Sequence, residues 1–520
     1  MAKRVAPILA LGLVVIATVR IAATYRVFSF TIDEPGHFAC GLEYLSKHVY
    51  RYETQHPPLA RAAIALLPYL AGVKPLGEEN RNVEGRDVIL QSPRPNRTLA
   101  LMRLGILPFF WLACVVVYVW CRHYFTGRVA VCVVALFTLL PPVLAHAGLA
   151  CTDMALAACL GAAFLALILW AESPTWKRGA LLGVAAALAA LSKFTALLYL
   201  PAAAILALVL YLATERPAPG RLAALARERA RTFAFAVLVG AFVIWAGYWF
   251  SFAKVPAPEF FDGLLSAQAH NREGHPGYLL GQYSLNGWWY YFPVALAVKT
   301  PIAFLILLAL GSYICIGKFR LTAWRLPLAF SLGILLPAMT SRVDIGVRLI
   351  LPVYIGFSIV AAVGLDRLLT CGILSETVAV ALLLWVALSG AVCHPDYLSY
   401  FNEFAGRDPS RILVDSDLDW GQDTKRLGRR FRQLGVQEAS ILLIEPLSLP
   451  LPTEEAVRRF YELPRIQPID AYAPRAGWNV LSPTVVKTLG LKFKPWWDGL
   501  PPTEKVGALW LYSVPTQAPR

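Results

Sequence analysis

A chain of 520 residues that is 57% apolar and only 16% charged, with mean hydropathy +0.55, excludes an ordinary water-soluble globular protein. Apolar runs of about 20 residues, each long enough to cross a hydrocarbon core of about 30 Å, recur through the first three quarters, which reads as a polytopic membrane helix bundle. In that class a formal charge of +15 reflects cytoplasmic loops and contact with anionic lipid rather than nucleic acid.

The first span runs from about Val5 to Ala23. No small-residue cleavage site follows it, so it is read as retained, and Lys3 and Arg4 place the N-terminus in the cytoplasm. Residues 24–97 form a long outer loop with two interfacial helices. One follows Pro35; the other starts at Pro57-Pro58 and carries Leu59, Ala63, Leu66, Leu67 and Leu70. The second span, about Thr98 to Cys121, returns to a basic turn ending at Arg128. The third passes through Pro141-Pro142 to a short outer turn, Cys151-Thr152-Asp153, and the fourth returns to Trp176-Lys177-Arg178. The apolar stretch from Gly179 to Ala213 is too long for one helix, so Ser192-Lys193-Phe194-Thr195 is the turn between the fifth and sixth.

Arg216, Arg221, Arg227, Arg229 and Arg231 then mark a cytoplasmic loop, in agreement with the span count. The seventh span ends at Tyr248-Trp249-Phe250, and residues 251–298 are a second long outer loop. The eighth and ninth flank Lys318-Phe319-Arg320, the loop from Ser341 to Arg348 leads into the tenth, and the eleventh ends near Cys393. About eleven spans, an odd number, put the rest of the chain outside. The expectation is therefore a mainly α transmembrane domain over residues 1–393 and a small extracytoplasmic α/β domain over 394–520. The latter carries candidate strands Ile412–Val414, Ser440–Ile444 and Ala508–Ser513, with helices near Asp423–Leu434 and Glu454–Tyr461. Nine cysteines include no C-x-x-C pair; Cys40, Cys151 and Cys393 read as near the outer face, where a disulfide could join two of them.

Asp33-Glu34-Pro35 has an ordinary reading as a helix start and a sharper one as a general base at the membrane surface. The other polar residues out of place in such a chain fall on the same side: Gln55, His56, Asp153, Lys193, His270, Arg272, Glu273, His275, Lys299, Arg342, Asp344 and Arg348. Charges at such depths are costly and mark a cavity. Lys193, Lys299, Arg342, Arg348 and His56 suit a phosphate, and the carboxylates suit a hydroxyl or amine that must lose its proton. A lipid-linked sugar phosphate joins both needs. Its monophosphate leaving group requires no metal or other cofactor, although the spacing of His270, Glu273 and His275 permits a divalent cation.

Asp33-Glu34, His56-Pro57-Pro58-Leu59, His146 with Cys151-Thr152-Asp153-Met154, and Leu191-Ser192-Lys193 follow one another between the spans. Further along come Gly287-Trp288-Trp289-Tyr290-Tyr291-Phe292-Pro293 with Lys299-Thr300-Pro301, and Gly346-Val347-Arg348-Leu349-Ile350-Leu351-Pro352. In these residues and their order the chain resembles the GT-C superfamily of polytopic glycosyltransferases, and within it the family 39 protein O-mannosyltransferases and aminoarabinose lipid A transferases. The resemblance implies Asp33 as general base with Glu34 beside it, and Asp153 binding the acceptor or orienting the site. Asp153 also suits the start of the fourth span, where a carboxylate favours the positive helix end. In the aminoarabinose enzymes a Lys before the Pro-Pro meets the lipid phosphate; here that position is His56, so Lys193 and Arg348, with Lys299 and Arg342, would supply the charge. The loop with His270, Arg272, His275 and Tyr278 would close over the donor. The implied partners are a polyprenyl-phosphate sugar, an envelope acceptor and the bilayer.

The leading expectation is an inverting transferase at the outer face of the cytoplasmic membrane, moving the sugar to protein, lipid A or glycan. The alternatives are an envelope-glycan ligase using a lipid diphosphate, and a transporter. A transporter would show midplane charges and repeated halves, which this sequence lacks. Finally, Val414–Asp423 holds four Asp within nine residues and resembles a segment of a bacterial subgroup. It could bind a cation or sugar hydroxyls, or simply be a strand end followed by an Asp-capped helix.

Overall fold

Each of the eleven apolar segments holds a helix in the computed structural model, which describes residues 5–444, 454–490 and 493–515. Lys3 and Arg4 lie outside the described residues. Six helices are long and apolar enough to cross a membrane: Val5–Thr24, Pro95–Tyr124, Asp153–Glu172, Ala196–Glu215, Pro219–Gly247 and Ile373–Val392. Two bent pairs raise the number to eight. Against the eleven read from the sequence, the difference lies in Trp176–Ser192, Thr322–Ala338 and Val353–Leu368, of 17, 17 and 16 residues. At about 1.5 Å per residue these are somewhat shorter than a hydrocarbon core of about 30 Å.

Both bends follow from proline. Gly127–Leu139 and Pro141–Ala147 meet at 68°, and Tyr291–Lys299 and Ile302–Gly317 at 116°, with Pro141-Pro142 and Pro301 at the breaks. Proline lacks the backbone donor and its ring clashes with the carbonyl one turn back, so the helix cannot run straight through. Tyr291–Lys299, read from the sequence as the end of a loop, is thus a helix that doubles back. The arginine-rich loop is also helical, because Arg221–Arg231 sit in the first turns of Pro219–Gly247.

Three helices cover the end of the bundle where the long loops lie. Asp33–Lys47 and Pro58–Leu70 match the expectation, and Arg81–Gln91 is new. Asn80 caps the last of these by accepting the N–H of Asn82 and of Val83. They pack almost backbone to backbone. A methyl on Gly41 would sit 2.1 Å from the Arg61 carbonyl oxygen, and one on Gly85 would sit 1.8 Å from that of Pro35. The second long loop folds as a helix, Pro258–Glu273, and a hairpin of β1 (Gly277–Leu279) and β2 (Gln282–Ser284).

Beyond the last long helix, β3 (Glu438–Leu442), β4 (Arg465–Pro468), β5 (Gly477–Leu481), β6 (Glu504–Val506) and β7 (Leu509–Val514) form one mixed sheet in the order β4-β3-β5-β7-β6. The parallel pairs, β3 with β4 and β3 with β5, need crossovers, and helix Glu454–Tyr461 lies between β3 and β4. Thr424–Leu434 is helical as expected. Ile412–Val414 is not a strand: it lies between two single helical turns, and Leu413 and Val414 are both buried rather than alternating. The segment before the sheet is stitched to the bundle. Ser29 N–H donates to the Gln422 carbonyl and Ile32 N–H to that of Trp420, while Val347 N–H donates to the Asp417 carboxylate. The nine cysteines are free thiols, so no disulfide joins Cys40, Cys151 or Cys393.

Candidate active site

A cavity of about 1010 Å³ opens among these pieces. Its lining includes Asp33, Gln55, His56, Arg81, Lys193, His270, Arg272, His275, Arg348, Asp415 and Trp420. Arg348 is the hub. Its Nη1 donates to Asp33 at 2.9 Å and lies 3.8 Å from Asp153, and its Nε donates to Ser416 Oγ at 3.0 Å. The guanidinium also stacks 4.1 Å from the Trp420 ring centroid. Burial by itself would lower its pKa, but Asp33, Asp153 and Asp415 more than offset that, so it is held charged. Among the described residues Nη2 makes no hydrogen bond. One donor arm of a fixed cation is therefore free for an anion.

Asp33 and Glu34 part company in the structure. The Asp33 side chain is 36% exposed and lines the cavity. Glu34 is fully buried behind it, and its oxygens accept from Arg103 Nε and Nη2 at 2.8 Å each, from Ala150 N–H at 2.8 Å, and from Thr31 N–H and Oγ1. Such a carboxylate has no lone pair left for a substrate proton, so its place beside Asp33 is that of a brace and not of a second base. Asp153 heads its helix, almost wholly buried, with Lys193 Nζ 2.7 Å from Oδ1. Its Oδ2 makes no hydrogen bond among the described residues and faces Arg348.

His56 lies in the cavity wall, on a loop that Arg61 organises. The buried Arg61 donates to Tyr50 Oη, the Glu53 carbonyl, the His56 carbonyl, His37 Nδ1 and the Glu53 carboxylate. Burial opposes ionisation of Glu53, but Arg61, His56 and Arg81 hold it well below the usual carboxylate range. His56 is itself lowered by burial, against the pull of Glu53, so it is neutral near pH 7. Arg81, paired with Glu53, carries the positive charge that His56 lacks. His270 and His275 line the mouth with rings 5.8 Å apart, and burial lowers both pKa values, His270 further through His275 and His275 further through Arg348.

Three expected contacts lie elsewhere. Lys299 is buried outside the cavity and donates to the carbonyls of Leu398 (2.8 Å) and Asp417 (2.5 Å), so its charge is spent on holding the C-terminal segment. Arg342 is exposed and donates to the Arg272 carbonyl, tying two loops together at the rim. Tyr278 is buried with Val414, Leu418 and Ala508, away from the cavity. In the Asp run, Asp417 accepts from Val347 N–H, Asp419 from Ser482 and Gly421 N–H, and Asp423 from Ala508 N–H and Arg426. These three are structural; Asp415 alone reaches the cavity. Among the described residues no three His, Cys, Asp or Glu gather as a metal-binding group.

Residues 12–252 match the family described as dolichyl-phosphate-mannose-protein mannosyltransferase. In fold, the chain is similar to ArnT from Cupriavidus metallidurans bound to undecaprenyl phosphate, at TM-score 0.53 and 15% identity, over 96% of this chain and 97% of that one. The chain has the fold of ArnT, a polytopic helix bundle that carries a small C-terminal sheet. The apo form of ArnT from the same organism gives TM-score 0.51 at 15% identity and the same coverage. The Pmt1-Pmt2 protein O-mannosyltransferase complex of S. cerevisiae gives 0.37 at 17%, over 48% of this chain and 34% of that one. No curated protein matches the chain in sequence. Sequence reading missed Arg81 and Trp420 as cavity residues. Trp420 sits in the Asp-rich run and could have been noticed there as an aromatic among carboxylates. Arg81 lies in a polar stretch of the loop and carries no such signal.

Proposed function

We propose that this protein is a glycosyltransferase that moves a sugar, with inversion, from a polyprenyl monophosphate to an acceptor at the outer face of the cytoplasmic membrane. The observation that carries the reading is the pairing in one cavity of a part-exposed carboxylate, Asp33, with three cations each fixed by an ion pair, Arg348, Lys193 and Arg81. A second, almost wholly apolar groove of about 560 Å³ runs between Trp176–Ser192, Ala196–Glu215 and Pro219–Gly247, and Leu197 lines both spaces. A prenyl chain suits that groove while its phosphate sits in the polar one. ArnT, the neighbour with a bound polyprenyl phosphate, supports the same assignment.

In the reaction so read, Asp33 takes the proton of the acceptor hydroxyl as its oxygen attacks the anomeric carbon. The bond from that carbon to the phosphate oxygen breaks on the opposite face. The phosphate leaves with the bonding pair, and the free arm of Arg348, with Lys193 and Arg81, receives the charge. Arg348 also fixes the Asp33 carboxylate, so base and leaving-group cation are set by one side chain. Asp153 holds Lys193 and balances Arg348. The acceptor, whether protein, lipid A or another glycan, is a matter for assay.

The test uses purified protein in lipid vesicles, a panel of radiolabelled polyprenyl-phosphate sugars, and envelope extract as acceptor. Polyprenyl phosphate is released by the wild type and not by Asp33→Asn. Release by a well-folded Asp33→Asn enzyme at near wild-type rate removes Asp33 from the base role. No release from any monophosphate, with turnover of a lipid diphosphate instead, transfers the assignment to the ligase reading.

A further inference from the structure

The last wall of the cavity comes from the C-terminal part of the chain, and one of its residues has no structural task to explain it. Asp415 lines the cavity beside Trp420 and Arg348. Its neighbours in the run are accounted for: Ser416 positions Arg348, while Asp417 and Asp419 are buried and hydrogen-bonded to the backbone or to Ser482. Asp415 is held differently. Its backbone sits at φ +58°, in the left-handed region that few non-glycine residues adopt and that Asp and Asn reach through local hydrogen bonds. Such bonds hold it here: the Asp415 N–H donates to Thr484 Oγ1 at 2.8 Å and the Ser416 N–H donates to Asp415 Oδ1 at 2.6 Å. Among the described residues Oδ2 has no hydrogen bond and no cation lies within ion-pair distance of the carboxyl. Asp33 and Asp153 differ on this point, each having a cation to itself or shared.

We propose that Asp415 binds the transferred sugar, its free oxygen meeting a ring hydroxyl of the donor, and so takes part in choosing which sugar the enzyme accepts. The assignment rests on the reading of the cavity as a polyprenyl-phosphate-sugar site. A carboxylate in contact with the phosphate itself would repel it, so the partner that suits Asp415, next to Arg348 but not paired with it, is the sugar one bond further on. The sugar end needs groups that can both give and take a hydrogen bond, because each hydroxyl does both. Burial, opposed by Arg348, raises the Asp415 pKa to about 7, so near neutral pH the carboxyl offers both roles. These two hydrogen bonds fix the direction of the side chain. That is the preorganisation a discriminating contact requires and a solvated surface carboxylate does not.

The experiment measures binding of two kinds of probe to protein in lipid vesicles: sugar-free polyprenyl phosphate, and polyprenyl-phosphate-linked mannose, glucose, galactose and aminoarabinose. Wild type is compared with Asp415→Gly and Asp415→Asn. Both replacements tolerate a left-handed backbone, so both fold. Asp415→Gly is expected to weaken the sugar-bearing donor that wild type turns over by roughly tenfold or more. Its affinity for sugar-free polyprenyl phosphate should stay within about twofold of wild type. Asp415→Asn, which keeps one donor and one acceptor, should fall between and shift the order of preference among the sugars. If Asp415→Gly binds the donor as wild type does, or loses both probes alike, the sugar contact is wrong while the donor class stands. If wild type turns over none of the donors, the donor class itself is wrong and the contact falls with it.

Discussion

Replacing Glu34 with Gln asks whether the two adjacent carboxylates do different jobs. The change is nearly isosteric, but it removes a charge from a fully buried site. Glu34 accepts five hydrogen bonds, two of them from Arg103, which is itself fully buried and whose Nη1 already lacks a partner. A Gln has one acceptor oxygen where Glu has two, so its amide must face Thr31 N–H, Ala150 N–H or the guanidinium, a donor against a donor. Breaking one partner of a buried pair costs about 3–5 kcal/mol, because the survivor keeps an uncompensated charge. Glu34→Gln should therefore unfold at clearly lower denaturant in detergent or lipid, while molecules that remain folded keep much of their transfer rate. Asp33→Asn should show the reverse, near-normal stability with transfer down by roughly 10²-fold or more. The assay is unfolding followed by polyprenyl phosphate release per folded molecule. A Glu34→Gln protein as stable as wild type but inactive would refute the reasoning and make Glu34 the base.

Three further outcomes follow from the same coordinates. Lys193→Met leaves Asp153 buried with Arg348 3.8 Å away as its remaining cation, at a cost of about 3 kcal/mol; adding Asp153→Asn should recover most of the stability and none of the activity, as a double-mutant cycle would show. Gly346→Ala places a methyl 2.2 Å from Ser416 Oγ at φ +141°, and should cost about 2 kcal/mol while raising the donor KM through Arg348. Asp344 is raised to about 7 by burial, against the help of the Trp288 N–H, so the folded state holds its proton where the unfolded state does not. Stability should then fall as pH rises from about 4 to 7, and Asp344→Asn should flatten that slope; equal slopes in unfolding at pH 5 and pH 8 would rule this out.

Hydropathy made the helices legible because the cost of exposing backbone and polar groups to lipid leaves few alternatives. Asp33 stood out for the same reason. Its neighbour could not be told apart from it, since successive side chains on a helix diverge by about 100° and only packing decides which one faces the cavity. Lys299 looked like a cavity cation by its depth alone. Its carbonyl partners, Leu398 and Asp417, come from about a hundred residues downstream, and their arrival depends on how the C-terminal segment docks. Arg81 failed in the opposite direction, an ordinary charge in a polar loop that becomes part of the site once Asn80 starts a helix. The Asp-rich run was visible as a pattern, but its pattern could not separate three scaffold carboxylates from the one that lines the cavity.

The cavity draws its walls from residues as early as Ile32 and as late as Leu489. The carboxylate and its arginine are 315 positions apart, so at roughly 5–20 residues per second a growing chain carries Asp33 for about 15–60 s before Arg348 exists. Through that interval the membrane holds a cavity whose carboxylate has no arginine beside it. A chain cut short before the Asp415 segment keeps the long apolar helices and lacks the wall that Asp415, Trp420, Thr484 and Leu489 supply. The cavity is complete only when the last hundred residues dock onto the bundle.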